Sequence, residues 1–596
     1  MKLKIAIFLF LILSFFASHY HYAGNTRGIE KYMATAGLEP EVFVHDPFSL
    51  KHLNNVVLII AQTSDTQRKI IYYCFFLATL WLLFRLAFHM TRDLITSLVF
   101  LLLFVYNAYN YLSFHFVFLT NDFTGLFLAG PFVIASFLFF LKERYLISSI
   151  LTGVSFYVHP GITLWYLIGI FSYLPLVVLR NLFSSLALRL SLSPLTSPKT
   201  YPEKVNPPEF KSLCLFVSTF SIMVAPQVYH VFKLNLRNSP IDPQFAYEIF
   251  RFGWLGQTSL WLSLSYNPSI TNLIILFSNV ILGGLIIHHF QGVQDLKIQK
   301  IYLMYLGSLC FLIINEILIN VFGWKFSVIY GLCRTSGINF LFLALLLSLM
   351  IKDALKQKKY LESLCWGIFF VNYTLIHFRL YSAILQIIIL GVIAFVRWTG
   401  VSKRWDEKIS FYVQGHLLGI KNLTQMGLVT LMILILLIST SRFVKKMSLG
   451  VPKPNPYREA IEFVNDHNKG RAAVLYPFDK EEEFFSTSRN PGFFNTYYIV
   501  LFIDLYKYDP VVQQKAFAKF TQLEREFGIN TLKQLKENPF AYSVPWREAW
   551  GKKVNRDFIE RWSLREPIGY IIREKENSIL PYTIVYQNEE YLVYQR

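Results

Sequence analysis

An α-helical polytopic membrane protein with a small α/β domain after its last span is the fold class this sequence predicts, and three observations carry it. Of the 596 residues, 54% are apolar and only 16% charged, a balance that suits a chain solvated by lipid. Apolar runs of about 20 residues, the length that crosses a hydrocarbon core, recur over residues 1–449. From residue 450 onward these runs stop, and prolines, charges and short alternating segments replace them.

The first apolar run, residues 5–17 behind Lys2 and Lys4, reads as an uncleaved first span, with a cleaved signal peptide as the alternative. Either way the lysines stay inside, and residues 21–69 form a large first extracytoplasmic loop. Counting a first span at 4–20, apolar segments near 70–90, 95–114, 123–141, 145–158, 161–180, 212–232, 270–289, 301–322, 337–352, 361–376, 380–397 and 424–441 bring the total to about thirteen. An odd count places the two termini on opposite sides. The inside loops then carry Lys142 and Arg144, residues 180–211, Lys297 and Lys300, residues 352–359 and residues 397–408, which is the expected cationic excess. Arg68-Lys69 and the basic residues of 442–446 fall on the outer side against that rule, so a miscount at the short segments 145–158 or 361–376 stays open. Residues 410–418 read as an interfacial helix before the last span.

Three prolines in residues 452–456 make a stiff linker, because each fixes its own φ and restricts the residue before it. The soluble domain of residues 450–596 follows. Its spacing predicts helices at 457–467 and 511–527, and strands at 472–477, 569–573, 582–586 and 591–594. It contains no glycine-rich phosphate loop, nucleophile elbow or zinc spacing. The net charge of +19 does not point to nucleic acid, since Lys and Arg sit in short clusters between apolar runs without a basic helix or stacking motif. Cys74, Cys214, Cys310, Cys333 and Cys365 all lie in or beside apolar segments, so neither a disulfide framework nor a cysteine metal site is expected.

Chemistry is therefore expected where polar residues meet the outer membrane face. The candidates are Glu41, His45 and Asp46 in the first loop, Asn121-Asp122, His159-Pro160, Glu316 and Arg334. A carboxylate beside a membrane can act as general base or hold a divalent metal, and an arginine can clamp a phosphate through its planar fork. Each residue has a structural reading too. Asp46-Pro47 and Asn121-Asp122 suit helix starts, His159-Pro160 suits a span terminus, Glu41 suits a solvated loop, and Arg334 can snorkel to headgroups. Glu316, read as lying about two turns inside an apolar span, is costly there unless it faces a cavity or a partner.

Asp46-Pro47-Phe48, Thr120-Asn121-Asp122 leading into Pro131, Gly153 with His159-Pro160, Arg334-Thr335-Ser336, and the closing Pro581-Tyr582-Thr583-Ile584-Val585-Tyr586 and Tyr591-Leu592-Val593-Tyr594 occur in one order along the chain. With the span pattern and the C-terminal domain, this order resembles the GT-C class of membrane glycosyltransferases, and more closely a set of bacterial GT-C-like integral membrane proteins. The resemblance implies transfer of a sugar from a polyprenyl-phosphate donor to an acceptor (saccharide, lipid or protein) on the outer face of a bacterial inner membrane. Asp46 and Glu316 would be catalytic, and Arg334, His159, Asp122 and His45 would bind substrate. Any metal, Mg or Mn, would sit at Asp46. The first loop offers no Asp-x-Asp partner, and no Trp-Trp-Asp-Tyr-Gly block is present, so transfer to a peptide sequon is not expected. A non-catalytic scaffold and a lipid or polysaccharide transporter are the alternative functions. A transporter needs a continuous polar path, yet beyond Glu316 and Arg85 charges within the spans are scarce.

Overall fold

The computed structural model of the chain describes residues 65–101, 125–178, 207–235, 243–253, 270–290, 293–324, 327, 332–372, 380–399, 455–494, 510–538 and 543–596, with short gaps inside several of these ranges. The expected spans at 4–20 and 424–441, the interfacial helix at 410–418, and Glu41, His45, Asp46, Asn121 and Asp122 lie outside the described residues.

The N-terminal part is helical. Its helices are α1 (Asp65–Thr91), α2 (Gly125–Leu141), α3 (Tyr145–Val158), α4 (Pro160–Phe171), α5 (Pro207–Asn235), α6 (Pro243–Gly253), α7 (Ile270–Phe290), α8 (Leu296–Asn320), α9 (Thr335–Lys356) and α10 (Leu380–Thr399). Among the described residues five stretches are long and apolar enough to cross a membrane: Ile70–Thr91, Pro160–Val178, Lys211–Tyr229, Leu296–Asn320 and Thr335–Ala354. Shorter apolar helices occur at Phe127–Leu141, Tyr145–Val158, Val280–Phe290 and Ile384–Thr399. Of the five long stretches, α9 is buried along nearly its whole length and forms the centre of the bundle.

Small residues set how closely these helices pack. In lipid no hydrophobic force drives helix on helix, so close backbone approach and internal hydrogen bonds must supply the cohesion. A Cβ at Gly307 of α8 would stand 2.2 Å from the Ser172 carbonyl oxygen, and one at Gly169 of α4 would stand 2.5 Å from Ile338 Cγ2 of α9. Asn339 of α9 donates to the Tyr305 carbonyl at 3.0 Å and to Ser308 Oγ at 2.7 Å, tying α9 to α8. Between α2, α3 and α4, Ser136 Oγ lies 2.9 Å from Ser148 Oγ, 2.7 Å from Thr152 Oγ1 and 3.0 Å from the Tyr166 hydroxyl, all buried.

Basic flanks of several helices meet at one end of the bundle. There Lys352 donates to the Thr91 carbonyl, Lys297 Nζ lies 3.5 Å from His89 Nε2, and His289 lies 3.4 Å from Asp353. Arg397 pairs with the buried Glu362, its Nε 2.7 Å from Oε1, with Trp366 donating to the same oxygen at 3.3 Å. The opposite end carries the start of α4, the end of α8 and the start of α9.

The C-terminal domain is a mixed α/β unit. After α11 (Pro456–His467) and β1 (Ala473–Leu475) come α12 (Pro510–Phe527), α13 (Thr531–Glu537), α14 (Ser543–Lys553) and α15 (Arg556–Ser563), then β2 (Ile568–Glu574), β3 (Thr583–Gln587) and β4 (Tyr591–Gln595). The sheet order is β1-β2-β4-β3, parallel only at β1–β2. Period-two alternation divides the sheet's side chains between two cores. Ile571, Leu592 and Tyr594 face Phe520, Phe527, Trp546, Trp550, Phe558 and Trp562, while Tyr570, Ile572, Tyr591 and Val593 face Tyr457, Ile461 and Val464 of α11. Buried Arg573 donates to the Val554 carbonyl at 2.7 Å and the Gly551 carbonyl at 3.1 Å, satisfying acceptors at the C-terminal end of α14.

Candidate functional site

The site is built from the start of α4 upward. Proline at 160 pushes its predecessor out of the helical region, and His159 has φ −157° and ψ 98°. That geometry makes His159 the N-cap, its Nδ1 accepting from the Ile162 amide at 3.1 Å. The imidazole leans on Trp165, less than two turns further on, with ring centroids 6.0 Å apart. Gly161 leaves room for this, since a Cβ there would meet His159 Cε1 at 2.9 Å and Trp165 Cζ2 at 3.3 Å.

From the other side comes Arg334. It closes the short 3₁₀ turn Leu332–Arg334 that leads into α9, and its Cζ stands 5.3 Å from the centroid of the Trp165 ring. Trp165 is buried, so this cation–π contact is partly shielded from bulk water, and desolvation strengthens such contacts. Two residues that the sequence singled out, His159 and Arg334, thus share one tryptophan that it did not. The signal for Trp165 was present in the His159-Pro160-Gly161 helix start with an aromatic less than two turns inside, but its meeting with Arg334 is tertiary.

Next to Arg334, the hydroxyls of Thr335 and Ser336 are buried, and among the described residues neither has a hydrogen-bond partner. Deeper in α9, Ser348 meets this need by donating to the Ala344 carbonyl at 2.7 Å. Ser336 follows Leu332 of the 3₁₀ turn by four residues, yet neither its hydroxyl nor that of Thr335 is taken up by that turn. These two hydroxyls, the guanidinium and the positive end of the helix dipole make a corner rich in donors and cationic in character. It can accept an anion with several oxygens.

Helix α8 packs on the same 3₁₀ turn. Asn315 accepts from Ser327, and Asn320 Nδ2 donates to the Glu316 carbonyl at 2.8 Å and to its Oε2 at 3.1 Å. Because α8 ends at Asn320, Glu316 lies about one turn from the helix end and is partly exposed, not two turns deep as the apolar pattern implied.

Beyond it, α6 links the bundle to the C-terminal domain. Tyr247 packs on Ile319 at the end of α8, Phe245 meets Phe517 edge to face with centroids 5.5 Å apart, and Glu248 pairs with Lys536 at 2.7 Å. Lys536 beside it holds the Glu248 carboxyl below the usual carboxylate range, against the opposing effect of burial.

Asp46, His45 and Asp122 fall outside the described residues, so this geometry includes none of them. Among the described residues no group of three His, Cys, Asp or Glu side chains is placed to hold a metal ion. No protein-family model, no curated protein and no solved structure matches the chain.

Proposed function

We propose that the chain is a membrane glycosyltransferase of GT-C type, with about thirteen spans in a bacterial inner membrane, that moves a sugar from a polyprenyl-phosphate donor to an extracytoplasmic saccharide, lipid or protein acceptor. The observation that carries this reading is the corner at Trp165, where Arg334, two buried hydroxyls and a helix start converge at one end of a bundle of membrane-length helices. A lipid phosphate would present its oxygens at that level, and arginine offers them a planar fork.

The topology has its own support. The basic flanks gather at the end opposite Arg334, as a cytoplasmic face would require. Helix α6, between the apolar segments 212–232 and 270–289, packs on the C-terminal domain, which supports a topology with both on one side of the membrane, that of Arg334.

In this mechanism Asp46 takes the proton of the acceptor hydroxyl as its oxygen attacks the anomeric carbon. The bond from that carbon to the phosphate oxygen breaks, and the electron pair leaves with the phosphate. Arg334 and the α9 helix start stabilise the charge that develops there. His159, His45 and Asp122 position the sugar and its phosphate, and Glu316 serves as a second carboxylate near the reacting end. A Mg or Mn ion, if used, would be held by the Asp46 carboxylate.

The test is sugar transfer by the Asp46→Asn variant in membrane vesicles loaded with a labelled polyprenyl-phosphate sugar. Losing a general base should lower the rate by about 10²-fold or more. Turnover at the wild-type rate in a folded Asp46→Asn protein would reject the mechanism.

A further inference from the structure

The end of the bundle remote from Arg334 collects cations from three separate places in the chain. Arg85 and His89 come from α1, Lys142 and Arg144 from the turn between α2 and α3, and Lys297 from the first turn of α8. They converge: Lys297 Nζ is 3.5 Å from His89 Nε2, and the charges that act on Lys142 are those of Arg85, Arg144 and Lys297. Burial, followed by these three cations, pulls the Lys142 ammonium below the usual lysine range.

The acids at this end have other tasks. Asp93 accepts from the Thr96 amide at 2.8 Å, Asp295 caps α8 by accepting from the Lys297 and Ile298 amides at 2.9 and 3.2 Å, and Asp353 faces His289. Glu143 is exposed in a left-handed turn, φ 61°. A cytoplasmic face needs basic residues, but topology alone does not require them to close on one another from different helices.

An aromatic stripe runs from this cluster along the outside of α1. Arg85 Cζ lies 5.8 Å from the Trp81 ring centroid, Trp81 stacks on Phe84 at 5.8 Å, and Phe84 stacks on Phe88 at 6.1 Å. Trp81 and Phe88 are 48% and 41% exposed, and Leu77 continues the exposed face. From residue 77 to residue 88 the helix rises roughly 16 Å, about half the hydrocarbon thickness, which is the depth of one leaflet.

We propose that this end of the bundle binds an anionic phospholipid, its phosphate seated among Arg85, Lys142, Arg144 and Lys297 and an acyl chain lying along Leu77, Trp81, Phe84 and Phe88. Basic pockets between helices at a cytoplasmic face suit such headgroups. The apolar stripe selects a lipid over a soluble phosphate. The site is independent of the reading of Arg334.

Native mass spectrometry of the full-length protein in a zwitterionic detergent tests it, with phosphatidylglycerol, phosphatidylcholine and soluble glycerol phosphate as probes. The wild type is expected to retain phosphatidylglycerol over phosphatidylcholine, with millimolar glycerol phosphate unable to displace it. The triple variant Arg85→Gln, Lys142→Gln, Lys297→Gln should lose about 10²-fold in phosphatidylglycerol affinity, about fivefold per charge, and Trp81→Ala should weaken retention of both lipids. If the triple variant does not fold, a salt titration of the wild type decides: screening should release phosphatidylglycerol and leave phosphatidylcholine unaffected. Equal retention of the two lipids by the wild type, or release of phosphatidylglycerol by glycerol phosphate, would overturn the proposal.

Discussion

Replacing Gly307 by alanine tests the packing that brings α4 to α8, and with it the position of Trp165. A methyl group there would sit 2.2 Å from the Ser172 carbonyl oxygen, 2.5 Å from its carbonyl carbon and 2.9 Å from its Oγ. The first two are backbone atoms, so no rotamer change relieves the clash, and the helices must part by about 1 Å to reach ordinary contact distance. Overpacking of this kind costs about 1–3 kcal/mol, and a carbonyl in the way puts Gly307 at the upper end. Removing a helical glycine returns about 1 kcal/mol, leaving a net loss of about 1–2 kcal/mol. Gly284 of α7 is the control, because a Cβ there meets nothing within 4 Å and only the gain should remain. Unfolding of both variants in mixed micelles by increasing denaturing detergent should separate Gly307→Ala from Gly284→Ala by about 2–3 kcal/mol. Equal stability of the two would show that α4 and α8 do not approach as closely as described.

Three other outcomes follow from the architecture. A reporter fused after Gly450 should read as extracytoplasmic, and a cytoplasmic signal would reverse every face assigned above. The α6 contact should depend on pH. Because Glu248 is held below its ordinary value by Lys536, its contribution is full above about pH 4.5 and is lost as pH falls through the depressed value. Trapping by a photocrosslinker placed at Phe245, which needs no thiolate, should therefore weaken toward the C-terminal domain as pH falls through that depressed value. At neutral pH Lys536→Glu should cost at most about 1 kcal/mol, the pair being partly exposed; no acid dependence of trapping would count against the salt bridge. Finally, Arg573→Lys removes a fork that serves two carbonyls and should destabilise the C-terminal domain by about 1–3 kcal/mol, whereas an unchanged thermal transition would show that neither bond matters.

The parts of the fold written in local pattern were legible in the sequence. Residues 569–573, 582–586 and 591–594 are rich in β-branched and aromatic side chains, and they correspond to β2, β3 and β4. The apolar runs at 70–90, 301–322 and 337–352 correspond to membrane-length helices for the same reason. Helices α13 to α15 were not read. They are short and polar on one side, and their markers are only the caps Asn530 and Asn555 and the aromatic pairs Trp546/Trp550 and Phe558/Trp562 spaced four apart. At the site, single residues could be named because a proline after a histidine and an arginine at a span edge are unusual locally. What joins them, Trp165 between His159 and Arg334, depends on contacts from residues more than 160 positions apart, and sequence spacing carries no trace of these. Glu316 was placed too deep because hydropathy continues through Val321 and Phe322 after the helix has ended at Asn320.

The donor site is tested most directly by the equilibrium affinity of a polyprenyl phosphate for the purified protein, compared among wild type, Arg334→Lys and Arg334→Ala. A guanidinium bound to phosphate in bidentate fashion predicts a loss of about tenfold in Arg334→Lys, which keeps the charge but not the fork, and a larger loss in Arg334→Ala. Equal affinity of wild type and Arg334→Lys would mean that Arg334 serves only as a cation at the interface, and the donor site would have to be sought elsewhere.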